Sequence, residues 1–264
     1  MLSSLSRNRA LALCALPVAA LFAVVGLAPL PYAIAQPGVT ADVLGKDKGR
    51  EVITISGKPV RPTDGELLMT TISATGPSVE NDFGDVVDAW FRTDRAVLPR
   101  DSVYPPGKSD AEVEKHNLGE MKESQDAATS AALGYLKLDP NDVDVTLHLA
   151  DVGGPSAGFM FSLGIVDKLV GDGSGGDLTG GRTIAGTGTI EPNGTVGAVG
   201  GVSLKTQAAS RDGASVFLVP EAECSDAQAE LPKGMRLIPV STLSEAVSSL
   251  RALEQGQEAK VPSC

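Results

Sequence analysis

Two glycine clusters frame residues 151–205, and no other feature limits the fold so tightly. The first is Gly153-Gly154-Pro155-Ser156-Ala157-Gly158; the second is Gly200-Gly201, followed by Val202-Ser203-Leu204-Lys205. Ahead of the first, Val143, Val145, Leu147 and Leu149 alternate with Asp144, Thr146, His148 and Ala150, the period of a half-buried strand. Behind it, Phe159, Leu163, Val166 and Val170 recur at helical spacing. Pro155 suits the first turn of that helix and Gly171 its end. Ser156 is therefore expected on a strand-to-helix turn, at the positive end of a helix dipole. Backbone N–H groups there, those of Gly154 and Ala157, can hold an oxyanion or a substrate backbone. A serine that merely caps the helix is the plain alternative, and the pentapeptide alone does not choose.

The second half of the stretch weighs toward chemistry. Thr183 to Ile190 reads as a strand, Pro192-Asn193-Gly194 as a turn and Thr195 to Val199 as the returning strand. Gly200-Gly201 then opens a helix carrying Lys205, Ala208 and Ala209, stopped by Gly213. A lysine on a small, apolar face is not a solvated lysine. Burial there disfavours its charge and makes it a base for Ser156.

These residues resemble the proteolytic domain of Lon-type serine proteases of family S16, which use a Ser–Lys dyad. Ser156 falls on the nucleophile of the family's Pro-Ser-Ala-Gly motif, Lys205 on its base after the Gly-Gly pair, and Thr187 on a threonine that positions the lysine. Leu67-Leu68-Met69-Thr70-Thr71 and Leu118-Gly119-Glu120-Met121-Lys122-Glu123-Ser124 resemble Lon segments in the same order. The resemblance implies an α+β fold of the ribosomal protein S5 domain 2-like kind, mixed sheets with flanking helices. It implies a serine endopeptidase acting on polypeptides through an acyl-enzyme, and ring-shaped homo-oligomers. Leu30-Pro31-Tyr32 and Phe217-Leu218-Val219-Pro220 resemble bacterial membrane-anchored Lon-like proteases that carry a PDZ domain. Only Lys137-Leu138-Asp139-Pro140-Asn141 separates the neighbouring helix and strand, so no PDZ domain is expected. One departure is Gly153, where Lon enzymes often have an acid; Asp151, close by, is expected to orient the strand end. The rival reading is a catalytically weak, membrane-anchored scaffold with a Lon-like fold.

Other chemistries are disfavoured. A net charge of −11 and 4% aromatic residues argue against nucleic acid as a partner. Leu204 before Lys205-Thr206 breaks a phosphate-binding loop, so no nucleotide site and ATP-independent action are expected. The two histidines, His116 and His148, form no triad or metal-ligand spacing, and no cofactor or metal is expected. Asp172 to Asp177 reads as a surface turn rather than a calcium or phosphate loop.

Residues Ala10 to Leu30 carry no charge, and about 20 apolar residues suffice to span a bilayer. Arg7 and Arg9 ahead of them put residues 1–9 in the cytoplasm and the catalytic domain outside. The alternative is a secreted protein cut after Ala33-Ile34-Ala35. Cys14 would face the membrane. In that outside setting Cys224 and Cys264 are a candidate disulfide. The expected segments are a transmembrane helix at 10–30, a tether and first strand at 31–64, the proteolytic domain at 65–252 and a tail at 253–264.

Further strands are expected at Glu51–Ser56, Glu66–Ala74, Ser215–Val219 and Arg236–Val240. A short helix is expected over Asn81–Phe91 with Val86, Val87 and Trp90 apolar, then a loop from Arg92 to Lys108. The Ser109–Glu112 box opens a long helix to Leu136, broken near Gly119, with Met121, Ala128, Ala132 and Leu136 buried. Thr242 and Glu245 open the last helix, which runs to Glu254.

Overall fold

The computed structural model of the protein describes residues 7–105, 107–150 and 152–264. In chain order the elements are α1 (Arg7–Leu27), β1 (Tyr32–Asp42), β2 (Lys46–Asp47), β3 (Arg50–Glu51), β4 (Ile53–Ser56) and β5 (Glu66–Ala74). Then come α2 (Phe83–Trp90), β6 (Ala96–Pro99), α3 (Arg100–Val103), α4 (Asp110–Leu136), β7 (Asp144–Leu147) and α5 (Gly158–Val170). After these follow β8 (Thr183–Gly186), β9 (Thr189–Ile190), β10 (Val196–Gly197) and α6 (Val202–Arg211). β11 (Val216–Pro220), α7 (Cys224–Ala229), β12 (Arg236–Val240) and α8 (Leu243–Glu254) complete the chain. Two compact units result: residues 1–35 with 74–110, and residues 36–73 with 111–264.

The larger unit is built on strands in the order β12-β11-β8-β5-β1. β12, β11, β8 and β5 run parallel, with Val216 paired to both Arg236 and Ile184, and Leu67 paired to Ile184. Parallel strands need cover on both faces, and the side chains divide with period two. Leu67, Met69, Ile184, Val216, Leu218 and Ile238 enter one core with α5 and α8. Leu68, Ala185, Phe217, Val219 and Leu237 enter a smaller core with Val202 and Ala209 of α6 and Ala227 of α7. Helix α5 is covered all round rather than along one stripe: Phe159, Phe161, Leu163 and Ile165 are fully buried. Gly164 lets β4 approach it, since a Cβ there would lie 2.6 Å from Ile53 and 3.0 Å from Val43. β4 pairs antiparallel with β7, and β9 pairs antiparallel with β10.

Several expectations change. The tether from Gln36 contains most of β1, and residues 36–64 and 253–264 belong to the larger unit. Helix α4 runs through Gly119 without a break, and Leu136 is only partly buried. At the Asp172–Asp177 loop, Asp172 accepts from Ser174 N–H and Gly176 N–H, and Asp177 pairs with Arg61, as a hydrogen-bonded surface turn does.

In the smaller unit, the first residues of β1 pair antiparallel with β6, Ala33 opposite Leu98 and Ala35 opposite Ala96. The expected loop at Arg92–Lys108 thus holds a strand and the short α3. The Ala33-Ile34-Ala35 cleavage site lies inside a paired, buried strand segment. A capping box between Asp82 and Asp85 starts α2, whose Trp90 faces solvent at 72% exposure, contrary to its expected apolar packing. The N-terminal run is helical as α1, with Leu16, Leu21 and Phe22 exposed. Its uncharged part, Ala10 to Leu27, extends about 27 Å, short of a hydrocarbon core of about 30 Å. Among the described residues no helix is long and apolar enough to cross a membrane, so the expected span at 10–30 is not found.

Candidate active site

The turn that carries Ser156 is set by α4. Gly154 N–H donates to Asn117 O at 2.9 Å, and a Cβ on Gly153 would lie 2.7 Å from Asn117 Cβ. Gly154 itself has φ +87°, so this pair must be glycine to let the turn lie against α4. Ser124, a turn and more further along α4, donates its hydroxyl to Pro155 O at 2.9 Å. The helix begins later than expected: Ala157 is the N-cap and α5 starts at Gly158, so Pro155 and Ser156 precede it. Ser156 is half-buried on the approach to the helix N-terminus and does not cap it through its side chain. Asp151 lies outside the described residues.

The expected strand from Thr183 to Ile190 is interrupted at Thr187-Gly188, and the interruption holds the site together. Gly188 N–H donates to Ser156 O at 3.0 Å, and Gly188 O accepts from Phe159 N–H at 3.2 Å. Thr187 is fully buried, and its N–H donates to Leu218 O. Its hydroxyl accepts from Lys205 Nζ at 3.1 Å and donates to Ser156 O at 3.4 Å. A hydroxyl has one proton; spending it on Ser156 O leaves a lone pair for the amine.

Lys205 rides on α6. Gly201, the N-cap, has φ +69° and would bring a Cβ to 2.9 Å of Ile72 Cγ2, so the chain enters α6 closely against β5 only as glycine. Lys205 is 3% exposed. Burial lowers its pKa to about 8, and the Glu223 carboxylate opposes that fall. Glu223 is itself pushed up by burial, while its bond from Val199 N–H and the lysine charge act downward.

Ser156, Thr187 and Lys205 thus converge. The two expected oxyanion donors part ways: Gly154 N–H is taken by Asn117 O, whereas among the described residues the N–H groups of Ser156 and Ala157 have no acceptor. A cavity of about 230 Å³ adjoins the turn, lined by Glu120, Glu123, Ser124, Ala127, Pro155 and Ile190. A larger one, about 670 Å³, lies along α8 and touches none of the three convergent residues. The structure joins Cys224 to Cys264 in a disulfide. Asn117, Ser124, Glu223 and Asp226 escaped the sequence reading; Ser124 closes a motif noted there, whereas nothing local marks the other three.

A sequence model of the Lon protease (S16) C-terminal proteolytic domain matches residues 79–252. A Lon protease of Xanthomonas oryzae pv. oryzae is 27% identical over 226 residues, covering 80% of this chain and 26% of the relative. A Lon protease of Neorickettsia sennetsu is 30% identical over 221 residues, covering 78% and 25%. One of Mycoplasma pneumoniae is 31% identical over 147 residues, covering 50% and 17%. The chain spans about a quarter of the length of the first of these relatives.

Proposed function

The chain belongs to the family of the Lon protease (S16) C-terminal proteolytic domain, and on that premise we propose that it is a serine endopeptidase with Ser156 as nucleophile and Lys205 as general base. The observation that carries this reading is the buried Lys205 amine, hydrogen-bonded to Thr187 beside the Ser156 turn, with a pKa lowered to about 8. A lysine of ordinary pKa, about 10.4, is almost wholly charged near neutrality and cannot accept a proton. One near 8 is neutral in a useful fraction.

In the proposed reaction, neutral Lys205 Nζ takes the Ser156 Oγ proton as Oγ attacks the peptide carbonyl carbon. The oxyanion is met by the Ser156 and Ala157 N–H groups. The C–N bond then breaks, the ammonium of Lys205 protonates the leaving amine, and an acyl-enzyme remains. Lys205 next takes a proton from water, whose oxygen attacks the ester carbon; the acyl C–Oγ bond then breaks, and the Lys205 ammonium returns its proton to Ser156 Oγ, leaving a free acid and a neutral lysine. We take the substrate of this domain to be an already flexible polypeptide, cut without nucleotide, since Leu204 stands where a phosphate-binding loop ahead of Lys205-Thr206 would need glycine.

We further place the domain outside the cytoplasm. Its disulfide supports this, since such bonds persist there. The exposed, apolar α1 supports delivery to or through the membrane. The test is turnover of an unstructured polypeptide in nucleotide-free buffer, with labelling by a serine-directed covalent probe. Wild type should cut and be labelled; Ser156→Ala should do neither. Turnover by Ser156→Ala would overturn the assignment. Fractionation of the full chain separates a membrane-held from a released form.

A further inference from the structure

We infer that Glu223 is a positioning residue for Lys205, acting beside Asp226 on the segment that the Cys224–Cys264 disulfide closes. This rests on the dyad reading above. The two carboxylates bracket the disulfide cysteine in sequence, and both reach the segment that delivers the lysine. Glu223 Oε2 accepts from Val199 N–H at 2.9 Å, just before the Gly200-Gly201 pair. Asp226 Oδ2 accepts from Val202 N–H at 3.1 Å, at the first residue of α6. Together they hold the backbone on both sides of the glycine pair, where neither residue has a side chain to fix its path.

Cys224 starts α7 and is bonded to Cys264. Both cysteines pack on the smaller core, as does Val199, and Val202 is part of it. Gln228, one turn further on, donates to Cys264 O. The disulfide therefore ties the segment that carries both carboxylates to the C-terminal residue, and both cysteines pack on the layer from which Lys205 projects.

The charge also matters. Glu223 is the carboxylate whose field reaches Lys205, and it favours the protonated amine. The other groups around α6 are few. Asp226 adds a second negative charge near Glu223. Arg211 of α6 is paired with Asp212. Strands β8 and β11, which pack against α6, bring no titratable side chain. Burial alone would push the amine lower than about 8. Glu223 holds it there, so the base remains strong enough to take the serine proton and the ammonium acid enough to protonate the leaving amine.

The experiment follows Lys205 Nζ by ¹⁵N NMR in Ser156→Ala protein and, in parallel, the pH dependence of kcat/KM in Ser156-containing enzyme. Glu223→Gln keeps an acceptor for Val199 N–H and removes only the charge. It should move the Lys205 midpoint acidward by roughly 0.5–1 unit, with the rising limb of kcat/KM moving alongside. Glu223→Ala removes the bond as well and should lower kcat about tenfold on top of the shift, since a misplaced base costs orientation. Reducing the disulfide, or Cys264→Ser, should shift the midpoint the same way. A residue of merely structural weight would lower activity at every pH and leave the midpoint where it was; that result for Glu223→Gln overturns the inference. The two readings fail separately. If Lys205→Ala keeps turnover, the dyad falls. If Lys205→Ala is inactive while Glu223→Gln leaves the midpoint unmoved, only the role of Glu223 falls.

Discussion

The two faces of the parallel sheet in the larger unit are built to different standards, and each carries half of the proposed dyad. The face under α5 is thick: Phe159, Phe161, Leu163 and Ile165 are fully buried there, with Leu67, Ile184 and Leu218 of the sheet beneath. Ser156 stands at the entry to that helix. The face under α6 and α7 is thin, and its helices contribute mainly Val202, Ala209 and Ala227. Lys205 stands on it. Among the described residues the thin face alone has a disulfide, and two of its carboxylates hold the backbone on both sides of the Gly200-Gly201 pair. A nucleophile turn can be placed by packing alone. A buried amine needs an apolar layer shallow enough to end at the site, and covalent and polar ties then replace the missing bulk.

The largest effects should come from the dyad, where the faces meet. Lys205→Arg should lose at least about 10³-fold in kcat/KM at every pH, because arginine stays protonated throughout. Circular dichroism and the melting temperature should remain near wild type. Wild-type activity should rise with pH through the lysine pKa near 8, since the proposed base is the neutral amine. Near-normal turnover by Lys205→Arg would break the comparison at its base, as Lys205 would then be only a buried cation.

Next come the layers themselves. Phe161→Ala empties a fully buried site in the thick face and should cost roughly 3–5 kcal/mol in urea unfolding. Reducing Cys224–Cys264 should cost roughly 2–4 kcal/mol, and its loss should also lower kcat, since the bond braces the lysine layer. Phe161→Ala measured under folded conditions should change kcat much less. If reduction left turnover untouched, the thin face would not depend on its staple. Thr187→Ala should be milder than either dyad change, about 10–100-fold in kcat, because it removes an orienting contact and no proton acceptor.

How much of this was legible follows the same division. The runs rich in Ile, Val, Leu and Thr at Glu51–Ser56 and Glu66–Ala74 marked strands, and the glycine pairs marked Ser156 and Lys205, because both signals are local. β1 was not legible at all. Pro37 and Gly38 look like tether residues, yet Gly38 is what β1 needs there: a Cβ would sit 2.3 Å from Thr71 Oγ1 of β5. Trp90 misled because an apolar residue at helical spacing need not meet a core. The interruption at Thr187-Gly188 comes from tertiary bonds to Ser156 and Phe159, and the β-rich residues around it conceal it. Glu223 and Asp226 flank Cys224 in an acidic segment that carries no motif; only the folded chain brings them to Val199 and Val202.

The smallest effect concerns a second buried ionisable group, this one in the thick face. Asp167 of α5 is fully buried. Its Oδ1 accepts from Leu178 N–H at 2.8 Å, while among the described residues Oδ2 has no partner. Burial raises its pKa to about 6, the Leu178 bond and Arg61 oppose the rise, and the Asp177 and Asp172 carboxylates add to it. The unfolded chain would titrate near 3.8, the ordinary value. Between those two values the folded state holds more protons than the unfolded one, so stability rises as the pH falls from about 7 toward 4. From pH 7 to pH 5 the gain should be roughly 1 kcal/mol. Asp167→Asn carries no charge and should lose that gain, so the difference between variant and wild type in urea midpoint should depend on pH. An identical pH dependence in the two proteins would mean that Asp167 is already neutral, or already paired, across the range. Lys205 and Asp167 then separate cleanly. Both are ionisable groups whose charge the fold disfavours, yet the lysine on the stapled layer should change turnover with pH, whereas the aspartate in the packed layer should change stability alone.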